Sequence, residues 1–271
     1  MYDVLQDLKK QTCLPKKVII VEQNPIENSK SELNYIHEES WPFKIIHHFI
    51  HKTGACNARN LALSHVTSEW VFFADDDIRF DDMLIEKCFE NLMFYGIEVI
   101  NINCLREKDI QKSFKAHQTS IFNSAASILK SNILDKAKFD MSYEFNYRED
   151  ADFGMQIRYL GYDVISFDTP KIKHLKAPLG GFRYKIKQKW DDDDIKPKPS
   201  PTVMYFHQKY SALEQLQCYK LWLFITFYKD QNIRNVFTYL KIMKKRWNSS
   251  VIWSEKITSE VDSASKSNTK F

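Results

Sequence analysis

The chain has 271 residues but only 6 glycines, and none makes a glycine-rich, basic phosphate loop near the N-terminus. Its 5 cysteines (Cys13, Cys56, Cys88, Cys104 and Cys218) are odd in number, widely scattered and never spaced as CxxC. That pattern excludes a zinc ligand set and a disulfide framework, and it fits a reducing, cytoplasmic setting. No basic segment followed by an apolar run opens the sequence, so it shows no secretory signal pattern. The longest apolar stretch, 221–228, falls far short of the roughly 20 residues that a spanning helix needs. Charge of one sign is not in large excess either: 39 Lys and Arg face 35 Asp and Glu, a net +4. With no basic run interleaved with aromatics, the balance argues against a nucleic-acid partner.

What is present is a core. A hydrophobic fraction of 44% with 14% aromatics is that of a globular protein with one large domain or two small ones. The first half alternates strand and helix signals. Helical spacing covers 2–10, a short segment at 31–39, 55–66, and a stretch after Asp81 or Asp82 that Gly96 ends. Apolar, β-branched runs at 17–22, 43–49, 70–74 and 99–102 read as strands. Further on, 151–160 reads as a helix closed by Gly161, with strands at 163–167 and 171–175. This alternation predicts an α/β fold with a mostly parallel central sheet and helices on both faces.

The segment 185–210 is charged and proline-bearing, and predicts a surface arm or loop. Ser211 to Glu214 reads as a capping box, so a helix starts there, and a second follows at about 232–247. From 249 to 271 the Ser, Thr and Lys content predicts a disordered tail. The expected organisation is therefore 1–184 catalytic, 185–210 an arm, 211–248 a helical extension and 249–271 a tail. The two C-terminal helices carry many apolar residues beside Lys241, Lys244, Lys245 and Arg246. That mixture reads either as packing against the rest of the chain or as peripheral contact with an anionic membrane at its inner face. Asp191 to Asp194 read as a solvated charge run.

Asp75, Asp76 and Asp77 stand directly behind the buried-strand run Trp70-Val71-Phe72-Phe73-Ala74. Carboxylates crowded together repel, and either proton uptake or a hard divalent cation relieves the repulsion. A solvated acidic turn leading into the next helix is an equal reading of the triplet alone. Other polar groups fall at similar positions. Glu22 and Gln23 end the strand at 17–22. Gly54, Ala58, Arg59 and Asn60 open a helix. Glu149 and Asp150 open another, followed by Asp152, Arg158, Gly161 and Tyr162, and then by His174. Helix capping is the alternative reading of the Glu149-Asp150 pair.

In this order the motifs resemble glycosyltransferase family 2 and its GT-A type fold, over about residues 2–183. The resemblance implies transfer of a sugar from a nucleotide-diphosphate donor to a hydroxyl of a glycan or lipid-linked acceptor, with inversion, in surface polysaccharide synthesis. It implies Mn²⁺ or Mg²⁺ on Asp75, Asp77 and His174. Asp75 and Asp76 would also contact the donor, and Glu22, Gln23 and Arg59 the nucleotide. Asp150 would be the base, with Glu149 orienting the acceptor. Family members carry aspartates where Glu22 and Gln23 stand, which leaves the nucleobase open. They also begin with a strand that has no counterpart ahead of Tyr2, so the expectation is a chain lacking that first strand. A sugar nucleotidyltransferase and a catalytically impaired sugar-nucleotide-binding protein are the competing readings.

Overall fold

The computed structural model describes residues 1–109, 115–175 and 186–268. The chain forms two compact units: Met1–Met141 with Glu149–Arg183, and Ser142–Arg148 with Tyr184–Phe271.

The first unit opens with α1 (Tyr2–Lys9), β1 (Lys17–Gln23), the one-turn α2 (Tyr35–Glu38), β2 (Lys44–Ile50) and α3 (Ala55–Leu63). Next come β3 (Trp70–Ala74), β4 (Ile78–Phe80), α4 (Leu84–Tyr95), β5 (Val99–Arg106), β6 (His117–Gln118) and β7 (Ala126–Lys130). It closes with α5 (Glu149–Tyr159) and β8 (Ile165–His174). Gly96 ends α4 in the left-handed region at φ 63°, as its position predicts.

The α/β architecture is the expected one, but the sheet is mixed rather than mostly parallel. β1 and β2 pair in parallel as a two-stranded sheet, and the larger sheet runs β3-β7-β5-β8-β4 with β6 against β8. Within it only β5–β8 is parallel; the β3–β7, β5–β7, β4–β8 and β6–β8 pairings are antiparallel. The short β4 and β7 carry no strand signal that reading along the sequence picked out, and both owe their place to distant partners. The two strands predicted at 163–167 and 171–175 are one strand, β8. It stays continuous because a register shift against β5, between Asn101 and Asn103, absorbs the irregular middle.

Two apolar clusters build the unit. One joins Val4, Leu5 and Leu8 of α1 to Ile20, Ile78, Leu84, Ile100 and Ile128. The other gathers Phe73, Phe122, Phe139 and Phe153. The first encloses a charge: Asp7, 4% exposed, takes a two-pronged ion pair from Arg79 at 2.6 and 2.9 Å and the Phe80 N–H at 3.2 Å. A buried carboxylate is tolerable only when so satisfied. The pair ties α1 to β4, the strand directly behind the aspartates.

The second unit holds α6 (Pro201–Tyr210), α7 (Leu213–Tyr228) and α8 (Val236–Asn268). Three expectations are corrected here. Residues 201–210 are helix, not arm. Pro201 sits in the first turn after Ser200, where its fixed φ and missing N–H suit a helix start rather than a loop. The cap of α7 is Gln215, whose Oε1 accepts the Ala212 N–H at 2.9 Å; Ser211 Oγ instead meets His207 Nδ1 at 2.9 Å. The predicted tail from 249 is helix, because α8 runs on to Asn268, with Ser250 and Ser254 fully buried. Trp253 Nε1 donates to Asp193 at 2.5 Å, so the acidic run is anchored at its third residue. Met204, Leu223, Tyr239, Met243 and Trp247 form this unit's core.

Candidate active site

β3 delivers the three aspartates at its C-terminal end. The Asp75 N–H donates to Ala125 O at 3.1 Å, extending the β3–β7 ladder by one residue. The chain then turns into β4, whose Ile78 lies opposite His174 on β8. The Leu175 N–H donates to Asp77 O at 2.7 Å. This register puts His174 Nε2 3.1 Å from Asp77 Oδ1. One ligand atom each from Asp75, Asp77 and His174 falls within 4.8 Å of the others, and all three residues are half-buried. Asp76 is exposed, and its carbonyl accepts the Met1 ammonium at 2.7 Å.

Burial pushes the Asp75 carboxyl up to about 6; Arg59 opposes the shift, and the charges of Asp77, Asp150 and Asp76 add to it. Three acids and one arginine thus act on Asp75. Two carboxylates and an imidazole at this spacing are oxygen and nitrogen donors of the kind Mn²⁺ accepts, and the carboxylates suit Mg²⁺. A divalent ion would relieve the crowding that a proton on Asp75 otherwise relieves. The residues therefore fit the implied metal.

Asp150 lies in the first turn of α5. Ser124 Oγ donates to its Oδ1 at 2.6 Å, and Arg59 Nη1 lies 3.6 Å from the same oxygen. Its carbonyl accepts the Phe122 N–H at 3.1 Å. The close approach of α5 to segment 120–122 needs Gly154, where an added Cβ would lie 2.5 Å from Ser120 O and 2.7 Å from Phe122 N. Beneath the site, Phe153 of α5 stacks on Phe139 at 4.3 Å and 5°, and Phe73 of β3 lies 6.3 Å from Phe153. The strand that carries the aspartates and the helix that carries Asp150 thus share one aromatic core, which fixes their spacing. Glu149 is the first residue of α5 and is half-buried.

The α3 motif divides its labour. Asn60 is structural: its side chain exchanges hydrogen bonds with the Phe139 backbone at 2.8 and 3.0 Å. Arg59 lies over the Phe139 ring at 5.1 Å. Its Nη1 is buried and has no hydrogen-bond partner among the described residues. Gly54 caps the helix at φ 131°, in the region that favours glycine. Gln23 clamps it there, accepting the Gly54 N–H at 3.1 Å and donating to Gly54 O at 2.9 Å. Glu22 accepts from Ser31 Oγ at 2.6 Å and the Glu32 N–H at 3.1 Å, and meets His47 Nε2 at 3.0 Å. Both nucleotide-contact candidates on β1 therefore hold loops of the chain itself.

The sequence assigns no separate role to Ser124, Gly154 or Tyr35. Burial first, and then the charges of Glu22 and Asp76, raise the Tyr35 hydroxyl. Ser124 carries no motif that could have revealed it.

The fold has solved counterparts. The S. aureus TarS 1–349 fragment with UDP-GlcNAc matches at TM-score 0.53 and 16% identity, over 90% of this chain and 66% of that one. Another structure of the S. aureus TarS 1–349 fragment matches at TM-score 0.52 and 18% identity, over 64% of this chain and 56% of that one. The longer S. aureus TarS structure matches at TM-score 0.52 and 19% identity, over 65% of this chain and 34% of that one. The chain thus spans from a third to two-thirds of these structures' length. At such identities the likeness speaks for the fold alone, the GT-A type that the motifs imply. No curated protein matches the chain. The family model "Glycosyl transferase family 2" matches residues 1–154, from α1 through the aspartates to the first turns of α5. Since that match takes in more than half of the chain, the protein belongs to glycosyl transferase family 2.

Proposed function

We propose that the chain transfers a sugar from a nucleotide-diphosphate donor to a hydroxyl of a glycan or lipid-linked acceptor, with inversion, in the synthesis of a surface polysaccharide. The observation that carries this reading is the convergence of Asp75, Asp77 and His174 within 4.8 Å, beside the Asp150–Arg59 pair.

Asp75, Asp77 and His174 would hold Mn²⁺ or Mg²⁺. Such an ion supplies Lewis acidity toward a diphosphate leaving group, worth several kcal/mol of charge stabilisation. The Arg59 Nη1, buried without a hydrogen-bond partner among the described residues, is a donor that a phosphate oxygen would satisfy. Asp150 accepts the proton of the attacking hydroxyl, and Ser124 Oγ holds its carboxylate in one orientation. Asp76, exposed, reaches the donor rather than the metal. The S. aureus TarS fragment has been seen with UDP and with UDP-GlcNAc, and a uridine diphosphate sugar is the first donor to try. The odd number and wide scatter of the five cysteines suit a reducing, cytoplasmic setting.

Hydrolysis of a panel of nucleotide-diphosphate sugars, with and without Mn²⁺, tests the proposal. Mn²⁺-stimulated release of the nucleoside diphosphate that disappears in Asp77→Ala is the expected result. A chain that binds these donors without turning any of them over, metal present, would be a sugar-nucleotide-binding protein instead.

A further inference from the structure

α7 and α8 are poorly covered for their composition. On α7, Leu221, Trp222 and Ile225 are 64%, 60% and 59% exposed, and at i, i+1 and i+4 they make one stripe. The opposite side carries Leu223, which is buried with Met243 and Trp247. At the start of α8, Phe237 is 85% exposed, with Val236 and Leu240 beside it. Six large apolar side chains are thus turned to solvent from a pair of helices whose other faces already form a core. Scattered apolar residues need no explanation, but exposed stripes of this kind do.

Charge says what covers it. From Leu213 to Trp247 the sequence has seven lysines and arginines against two acids, whereas the entire chain has an excess of only four. The rest of the chain is therefore slightly acidic on balance, and the positive excess resides in these two helices. Lys229, Arg234, Lys241, Lys244 and Lys245 are all exposed. The Lys220 ammonium lies 5.1 Å above the Trp247 ring. A second copy meeting this surface face to face would oppose like charges. A partner that is both apolar inside and negatively charged at its surface matches both features. No helix among the described residues is long and apolar enough to cross a membrane, so the mode is contact with the surface rather than insertion through it.

We propose that the exposed stripes of α7 and α8, with their lysines, dock the protein on an anionic lipid bilayer. Trp222, Leu221, Ile225 and Phe237 enter the interfacial layer, and Lys241, Lys244 and Lys245 meet the headgroups. The docking does not depend on which sugar is transferred, or on whether one is.

Co-sedimentation of the full chain with phosphatidylcholine vesicles, with and without phosphatidylglycerol, tests it. The protein should pellet with the phosphatidylglycerol vesicles and should be released as salt rises. Trp222→Ser with Phe237→Ser, and separately Lys241→Glu with Lys244→Glu and Lys245→Glu, should each weaken binding at least about tenfold. These side chains are exposed, so the variants should keep the wild-type circular dichroism spectrum and melting temperature. Equal binding to both vesicle types, or binding to neither, would overturn the proposal. So would a wild-type dimer in gel filtration that Trp222→Ser converts to monomer, because a second copy would then be the occupant. The readout needs no donor turnover, so its failure and the failure of the glycosyltransferase reading are separable.

Discussion

His174 Nε2 lies 3.1 Å from Asp77 Oδ1, and the pairing of Ile78 with His174 across β4 and β8 puts it there. Two residues from distant parts of the sequence thereby become neighbours at one corner of the sheet. Asp77→Ala should lower metal-stimulated donor hydrolysis by about a hundredfold or more, and His174→Ala by about tenfold, at about 1.4 kcal/mol per factor of ten. Both should also shrink the rise in melting temperature that Mn²⁺ produces. That measurement separates metal binding from turnover.

Asp75 sits at a cost to the fold. Its carboxyl is pushed up to about 6 from 3.8. The folded chain therefore holds that proton more tightly than the unfolded chain between these values. Stability from this group is present below 3.8 and is lost as pH rises through 6. Asp75→Asn should accordingly raise the melting temperature of the metal-free protein near neutral pH, and at the same time abolish stabilisation by Mn²⁺. A variant that melts lower without metal would contradict this account of Asp75.

Ser124 positions Asp150 through a 2.6 Å hydrogen bond. Hydrogen bonds to a charged group contribute about 1.5–3 kcal/mol. Ser124→Ala should lower kcat by roughly 10- to 100-fold while leaving the KM for the donor near its wild-type value. A change in donor KM alone would place Ser124 in the nucleotide pocket instead.

Gly154 faces backbone, and backbone cannot step aside. The 2.5 Å approach of an added Cβ to Ser120 O should make Gly154→Ala destabilising by about 1–3 kcal/mol, read as a lower urea midpoint. Any folded fraction should also have lost turnover, because the shift in α5 carries Asp150 with it.

His207 stacks on Tyr219 at 4.1 Å. Burial first, and then the Arg148 charge, push it down to about 4 from 6.5. The unfolded chain takes up this proton first as pH falls. The contribution of the neutral, buried ring is therefore complete above 6.5 and is lost progressively toward 4. Thermal unfolding followed across that window should show a fall for the wild type that is shallower for His207→Gln.

Local chemistry determined much of this protein from the sequence alone. Apolar runs marked β1, β2, β3 and β5, and Gly96 marked the end of α4, because burial period and backbone freedom are properties of neighbouring residues. The order of the aspartates, Arg59, the Glu149-Asp150 pair and His174 was enough to point to the family. Where prolines and serines were read by composition, the reading failed at Pro201 and beyond residue 249, because helix starts and buried serines depend on what packs against them. Only the tertiary structure decided that Gln23 and Glu22 hold loops, that Asn60 binds the Phe139 backbone while Arg59 faces Asp150, and that Ser124 reaches the Asp150 carboxylate. Each of those roles depends on the distance between groups far apart in sequence. Such distances are set by strand register and by the aromatic core under the site, and no spacing along the chain encodes them directly.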